Sequence, residues 1–241
     1  MFFIDFKNIW KLKAQVLIKY LNRDRFLIVM QYIQENKTLY GTFFKYRNLL
    51  TDICLMGLAV ALLALFANIR IPLWPVPITM QTFGVFLIAF FFGSKRGFTT
   101  ILLYILTGLV GFGVFAGYKS GIATTLGPTG GYIIGFLAMA YFVGLMIEKG
   151  YGRTKKSILL CMIIGTAILY IFGLTGLWIY MGNIGLLKLL SYGFFPFIIG
   201  DSIKIAMAIG LFPYLWKAGE KYSLKKLYRK AIIDHYENLL Q

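Results

Sequence analysis

Long apolar segments, separated by short charged or glycine- and proline-rich stretches, occupy most of the chain between Leu49 and Trp216. Several of them approach the roughly 20 residues that an α-helix needs to cross a hydrocarbon core. Only 14% of the residues are charged, against about 25% in an ordinary soluble domain. We therefore expect an all-α, polytopic membrane protein with six transmembrane helices, near residues 49–67, 77–93, 97–114, 131–147, 157–181 and 195–216.

The distribution of basic residues predicts the orientation of these helices. Of the 25 Lys and Arg residues, only Arg70, Lys119 and Lys188 fall on the side opposite the termini, and Lys204 falls inside the sixth span. The positive-inside rule then places both termini in the cytoplasm. Because the basic residues flank apolar helices and form no basic domain, the net charge of +16 does not indicate a nucleic-acid partner.

Two segments flank the predicted transmembrane domain of residues 49–216. Residues 1–48 form a basic extension whose apolar pieces are too short to span a membrane. Three interpretations of this extension stay open: an interfacial arm, a disordered arm, or an artefact of an upstream start site. Residues 217–241 mix apolar and basic residues at near-helical spacing, which fits either an amphipathic cytoplasmic helix at the inner leaflet or a solvated tail.

Two charged residues, Asp201 and Lys204, stand inside the sixth predicted span. Charges within a membrane segment are costly and generally face a cavity or a partner. At positions i and i+3 they share one face of a helix, and a helix that begins near Phe195 places Lys204 roughly 13 Å inward. The pair is interpreted either as a structural ion pair or as the receptor of a polar, anionic small molecule.

A glycine-rich stretch, Leu126 to Tyr132, precedes the fourth predicted helix. Free backbone N–H groups at the start of a helix can meet ligand oxygens, although glycine-rich turns commonly just begin helices. This stretch is not a nucleotide site, because no part of the chain matches the G-x-x-x-x-G-K-[ST] motif that cradles phosphates. We therefore expect that this chain does not itself hydrolyse ATP.

Small residues form a strip along the first predicted helix, where Gly57, Ala61 and Ala64 recur at i, i+4 and i+7. Such a strip allows another helix to approach closely. The approaching helix belongs either to the same chain or to a separate membrane subunit, and the sequence leaves both possibilities open.

The residues that usually carry catalysis are scarce. The single histidine, His235, stands in the basic tail, and no Ser–His–Asp set or metal-ligand spacing occurs in the sequence. We therefore expect no enzyme activity, no bound metal and no cofactor.

Four motifs together resemble the BioY family, the biotin-specific S components of energy-coupling-factor transporters. The resemblance runs from about Leu49 to Trp216, and although each motif is weak alone, four in the family's order are specific. They are Ile69 to Pro72 with Pro75 to Thr82, Gly111 to Gly117, Gly127 to Tyr132, and Gly200-Asp201 with Lys204.

The resemblance implies the S-component fold of six helices, with a biotin pocket near the outer face that is capped by the first and third loops. Biotin's ureido ring needs hydrogen-bonding groups, its thiophane ring needs apolar cover, and its valerate needs a cation. We expect Asp201 to accept from a ureido N–H and Lys204 to meet an anionic or carbonyl oxygen. The other expected contacts are hydrogen bonds from Thr129 and Gln81, the loop backbone at Gly130, and apolar walls formed by Phe115, Trp74 and Tyr132.

The chain departs from the family pattern in two places. Gly113 stands where the family commonly has proline, and Tyr118 and Lys119 follow where small residues are usual. We therefore expect the third loop to contact the ligand differently. The extension of residues 1–48 lies outside the pattern, and no function is transferred to it.

The function that the resemblance implies is biotin uptake by a multi-pass subunit of the bacterial inner membrane. Such a subunit works with a transmembrane T component, which docks on the strip of Gly57, Ala61 and Ala64, and with two cytoplasmic ATPases. A self-sufficient biotin carrier, proton-linked or facilitated, is the alternative. A membrane enzyme is the third possibility, but a polar cavity without paired carboxylates lacks the groups that usually carry acid–base catalysis.

Overall fold

The computed structural model describes residues 38–44, 48–182 and 184–239, with side chains as far as residue 222 except residue 220. Within it, Lys37–Tyr222 forms one compact unit. Most of the predicted extension at residues 1–48 and most side chains of the tail, including that of His235, lie outside the described part. The predictions for these two segments stay predictions.

The described residues are mostly helical and contain only two strands of two residues each, which confirms the all-α class. Five helices are long and apolar enough to cross a membrane: α2, α3, α5, α6, and the first part of α8, Phe197–Gly219. The elements in chain order are α1 (Leu39–Phe43), α2 (Leu49–Asn68), β1 (Arg70–Ile71), β2 (Ile78–Thr79), α3 (Gln81–Leu109), α4 (Ile122–Thr125), α5 (Gly130–Glu148), α6 (Lys155–Tyr180), α7 (Leu186–Gly193) and α8 (Phe197–Leu239).

Helix α3 is a hairpin of two helical arms that meet at Gly93. Gly93 has φ of 78° and ψ of −162°, a backbone conformation that favours glycine. The arms lie side by side, because Gln81 Nε2 and Tyr104 OH are 2.7 Å apart across 23 residues, a separation of roughly 35 Å in a straight helix. The second and third predicted spans correspond to these arms.

The count of six spans depends on the first arm of α3. Residues 81–92 extend for about 18 Å at 1.5 Å per residue, less than the roughly 30 Å of a hydrocarbon core. The six-helix count and the cytoplasmic placement of both termini therefore stay predictions.

The Gly93 turn is held by α5. A Cβ atom placed on Gly144 would lie 2.4 Å from the Gly93 carbonyl carbon and from the Ser94 nitrogen, so the two backbones touch. Glu148 Oε1 accepts hydrogen bonds from Ser94 N at 2.8 Å and from Ser94 Oγ at 2.9 Å. A carboxylate at this position also stabilises the positive N-terminal end of the second arm.

At the same end of the bundle, the short helix α1 packs against α2 and α3. Tyr40 is fully buried; its hydroxyl donates to Asp52, and its ring lies 4.7 Å below the Arg96 guanidinium. Arg96 also forms an ion pair with Asp52 at 3.0 Å. The compact unit therefore begins before the boundary predicted at residue 48.

Different connecting segments lie at the two ends of the helix bundle. The β1–β2 hairpin, α4, α7 and the loop before α5 lie at one end, because the chain returns there after α2, α3 and α6. The Gly93 turn and the connection from α5 to α6 lie at the other end, which the positive-inside rule assigns to the cytoplasm. Helix α2 is the most exposed of the five spans, since only 17% of its most apolar 18-residue segment is buried inside the bundle.

The contact at the hairpin turn generates a prediction about stability. Gly144→Ala forces a methyl group into the backbone of the Gly93 turn, and we expect it to lower the free energy of unfolding by about 1–3 kcal/mol. Gly210→Ala in α8 is the matched control, since no atom lies within 4 Å of the added Cβ. Thermal unfolding of the purified chain in detergent measures both, and an unchanged midpoint for Gly144→Ala would contradict the hairpin packing.

Candidate binding site

A cavity of about 440 Å³ lies at the β-hairpin end of the bundle, within the range of small-molecule pockets. The β1–β2 hairpin, the first arm of α3, the loops before and after α4, and helices α5, α6 and α8 contribute to its walls. Seven of the eight residues predicted as ligand contacts line it: Trp74, Gln81, Phe115, Thr129, Tyr132, Asp201 and Lys204.

Asp201 and Lys204 form a nearly buried ion pair on one face of α8. Lys204 Nζ lies 3.0 Å from Asp201 Oδ1, and the two side chains are only 4% and 13% exposed. The other carboxylate oxygen of Asp201 accepts a hydrogen bond of 2.6 Å from the Tyr170 hydroxyl. Helix α6 therefore holds the carboxylate from the side opposite the lysine.

The ammonium group of Lys204 has hydrogen-bonding capacity to spare. It carries three N–H donors, and among the described residues it donates to Asp201 alone. Leaving such donors without partners in a buried site is unfavourable. Since Lys204 also lines the cavity, the remaining donors are available to a polar group that enters it.

Tyr132 is a wall of the cavity whose hydroxyl is already occupied. It donates to the Gly193 carbonyl at 2.8 Å, which ties α5 to the end of α7. Its ring stacks on Phe197 with centroids 6.2 Å apart. Tyr132 therefore lines the cavity with its ring, and its role as an apolar wall for the ligand stays a prediction.

The Gln81 side chain makes hydrogen bonds within the protein that position the neighbouring walls of the cavity. Its Nε2 donates to the Tyr104 hydroxyl, and its Oε1 accepts from Thr79 at 3.1 Å. Tyr104 in turn donates to the Val114 carbonyl at 2.9 Å and meets the Phe115 ring edge to face at 5.5 Å. Gln81 therefore anchors the loop that carries Phe115, and its Oε1 retains a second lone pair that can accept another hydrogen bond.

The two remaining predicted aromatic contacts differ in burial. Phe115 is 1% exposed and Trp74 is 74% exposed, so Phe115 belongs to the inner wall and Trp74 to the mouth. The Trp74 ring meets Tyr192 edge to face at 5.7 Å. This contact links the β1–β2 hairpin to α7 across the entrance.

The glycine-rich loop contributes Thr129 but not Gly130. Thr129 precedes α5 and makes no side-chain capping bond, so its hydroxyl is free to face the cavity that it lines. Gly130 stands outside the lining: a Cβ there would lie 1.9 Å from the Thr125 carbonyl oxygen. Glycine is needed at this position for the tight turn itself.

Asn68, which the sequence analysis did not single out, clamps the loop that follows α3. Its Oδ1 accepts hydrogen bonds from the backbone N–H groups of Gly117 and Tyr118 at 2.9 and 3.0 Å. Both residues have positive φ, 78° and 56°. Asn68 also donates to the Ala64 carbonyl at 2.9 Å, so the clamp is fixed to the end of α2.

Positive charge dominates the cavity. Arg70 and Lys119 line it together with Lys204, against the single carboxylate of Asp201. Arg70 lies beside Gly117, where an added Cβ would be 3.0 Å from the guanidinium. A cavity of this sign attracts an anionic ligand. Arg70 and Lys119 are two of the three basic residues that the sequence places on the side opposite the termini. Tyr170 has no comparable signal in the sequence, because it is one of many aromatic residues in apolar helices.

The fold and this cavity define a helical membrane protein that encloses a cavity of small-molecule size at one end of its bundle. One solved structure with the same fold is described as the S-component for biotin from an ECF-type ABC transporter. Its TM-score is 0.62 at 24% sequence identity, and the match covers 70% of this chain and 92% of that one. The S-component fold expected from the resemblance is thereby confirmed.

The sequence comparisons identify the family. Residues 35–221 match the model of the BioY family. The biotin transporter BioY of Thermotoga maritima is 41% identical over 155 residues, which cover 63% of this chain and 88% of the relative. The biotin transporter BioY2 of Lactococcus lactis subsp. cremoris is 34% identical over 159 residues, covering 64% and 84%. The chain belongs to the BioY family.

The Asn68 clamp generates a prediction about backbone protection. Asn68→Ala removes the acceptor for two amide groups, and we expect Gly117 and Tyr118 to exchange hydrogen about tenfold faster. Asn68→Asp keeps the acceptor and is expected to preserve most of the protection. Hydrogen–deuterium exchange of peptides that cover residues 115–121 measures both variants, and equal exchange in wild type and Asn68→Ala would contradict the clamp.

Proposed function

We propose that this chain binds biotin in the cavity and mediates its uptake across the bacterial inner membrane. The observation that carries the proposal is the nearly buried Lys204, whose ammonium lines the cavity and has a single partner among the described residues. The choice of biotin as the ligand is supported by the BioY relatives, which are named biotin transporters. The family consists of transporters, so the possibility of a membrane enzyme is set aside.

The geometry supports one orientation of the ligand. Asp201 and Lys204 present an acceptor and a donor side by side, which matches an N–H group and the carbonyl of a ureido ring. Both oxygens of Asp201 already accept one bond each, and each keeps a lone pair for a ureido N–H. We infer that the ureido ring enters first and that Lys204 meets its carbonyl oxygen.

The remaining parts of biotin then fall toward the mouth. Phe115 and Tyr132 supply apolar cover for the thiophane ring. The valerate carboxylate reaches the cations Arg70 and Lys119, which line the same cavity. Of the two oxygens that the sequence analysis left open for Lys204, the carbonyl is favoured, because these cations serve the carboxylate.

The alternative of a purely structural ion pair makes a different prediction. An ion pair that only neutralises its own two charges needs no cavity and is most stable when every donor has a protein partner. Here the pair lines an open volume, and Lys204 has donors without a partner among the described residues. This favours the ligand-binding interpretation.

The energising subunits belong to the proposal as well. We propose that a T component docks on α2 through Gly57, Ala61 and Ala64, and that two ATPases drive the assembly. Gly57 and Ala61 are exposed, and no atom lies within 4 Å of a Cβ added to Gly57. The first part of this strip therefore has no helix of the described unit packed against it, which supports a partner from another chain.

Equilibrium binding of radiolabelled biotin to the purified chain tests the ligand and the pair. Lys204→Ala and Asp201→Ala each remove a charged contact in a buried site, and we expect binding to weaken by at least ~2 kcal/mol, about thirtyfold. Lys188→Ala removes an exposed cation outside the cavity lining and is expected to bind as wild type does. Tyr170→Phe, a milder change that keeps the ring, is expected to weaken binding severalfold.

Thermal unfolding of each variant separates lost binding from lost folding. If folded wild-type protein binds no biotin, the ligand assignment is wrong. If wild type binds and both charge variants bind equally well, the pair is structural.

Co-purification with the T component tests the docking strip. Ala61→Leu places a bulky side chain on the exposed face of α2, and we expect it to reduce assembly at least tenfold while biotin binding stays unchanged. Gly210→Leu, on an equally open face of α8, is the matched control. Uptake by the wild type in a host without any T component or ATPase would instead support a self-sufficient carrier.

A further inference from the structure

A second concavity lies on the outer surface of the bundle, between the second arm of α3 and helix α5. It is an open groove of about 390 Å³ lined by Lys95, Phe98, Thr99 and Tyr141. None of these residues lines the biotin cavity, and the groove lies near the opposite end of the bundle, next to the Gly93 turn. The proposed biotin site therefore does not account for it.

Two polar groups in the groove are without protein partners in the described part of the chain. The Lys95 side chain is exposed and takes part in neither of the two ion pairs that the described residues form. The Tyr141 hydroxyl makes no hydrogen bond there, and Tyr141 is 38% exposed on a helix that crosses the membrane. An ammonium and a hydroxyl that share one groove together suit an anionic oxygen acceptor.

The walls of the groove are apolar and continue along the bundle. Phe98 meets the Tyr141 ring edge to face at 6.2 Å. Leu102 and Leu106 follow Phe98 at i+4 and i+8, so the three form one stripe along α3. Their exposed fractions are 37%, 37% and 46%. A groove with a cation at its end and an apolar track beside it matches an amphipathic occupant.

The depth of the groove agrees with a lipid headgroup. Lys95 begins the second arm next to the Gly93 turn, and Tyr141 lies roughly 10 Å before the end of α5. The positive-inside rule assigns this end to the cytoplasmic leaflet, where anionic lipids are found and basic pockets between helices bind their headgroups. We propose that the groove holds an anionic phospholipid, its phosphate on Lys95 and Tyr141 and one acyl chain along Phe98, Leu102 and Leu106.

Native mass spectrometry of the purified chain with equal amounts of phosphatidylglycerol and phosphatidylcholine tests this proposal without biotin. We expect the wild type to retain phosphatidylglycerol preferentially. Lys95→Gln is expected to reduce the retained phosphatidylglycerol about fivefold, and Tyr141→Phe, which keeps the ring, about threefold. Lys156→Gln removes an exposed lysine on the same side of the bundle and is expected to change nothing.

Three results would overturn the proposal. Equal retention of the two lipids by the wild type would show that the groove selects no anion. Equal losses in Lys95→Gln and Lys156→Gln would show general attraction to the leaflet surface, and displacement of the lipid by excess inorganic phosphate would show a site for free phosphate in place of a phospholipid. Thermal unfolding midpoints that match the wild type show that the variants are folded.

Discussion

The lysine at position 204 is held almost out of contact with solvent inside a membrane domain, and the binding cavity is built around it. An ammonium in that position is stable only where a counter-charge and hydrogen bonds compensate its lost hydration. Asp201 supplies the charge one turn away, and Tyr170 of α6 fixes the carboxylate from the other side. Helices α6 and α8 are thus joined by a polar contact, and the remaining donors of Lys204 are available to a group that enters the cavity.

Close backbone packing supplies the second constraint. Glycine at positions 93 and 144 lets α3 reverse and lets α5 touch the turn, so that α3 packs closely against α5. Gln81 and Tyr104 then meet between the arms and hold the loop that carries Phe115. The same arrangement leaves α2 on the periphery, where its end is joined to the pocket loop by Asn68. The Asn68 hydrogen bonds therefore fix the position of the pocket loop relative to the end of α2.

The long apolar helices and the pairing of Asp201 with Lys204 could be predicted from the sequence, because long apolar runs form helices and charges at i and i+3 share one helix face. The break within α3 was placed between residues 93 and 97, near its position at Gly93. Tyr170 could not be predicted, since nothing local distinguishes it from other aromatic residues in apolar helices, and its role depends on a residue 31 positions away. The motif assigns Gly130 to the ligand, whereas its backbone N–H donates to the Gly127 carbonyl at 2.9 Å and the residue lies outside the cavity lining. Tertiary packing decides such cases, and sequence spacing does not record it.

A structure of the chain with biotin bound would test the central claim most directly. We expect the ureido ring to lie between Asp201 and Lys204, with the ammonium donating to the ureido carbonyl and the valerate pointing toward Arg70 and Lys119. The Asp201–Lys204 pair and the Tyr170 hydrogen bond should persist in the complex. Biotin found elsewhere, or a bound ring that leaves Lys204 in contact with Asp201 alone, would contradict the account and make the buried pair a structural element.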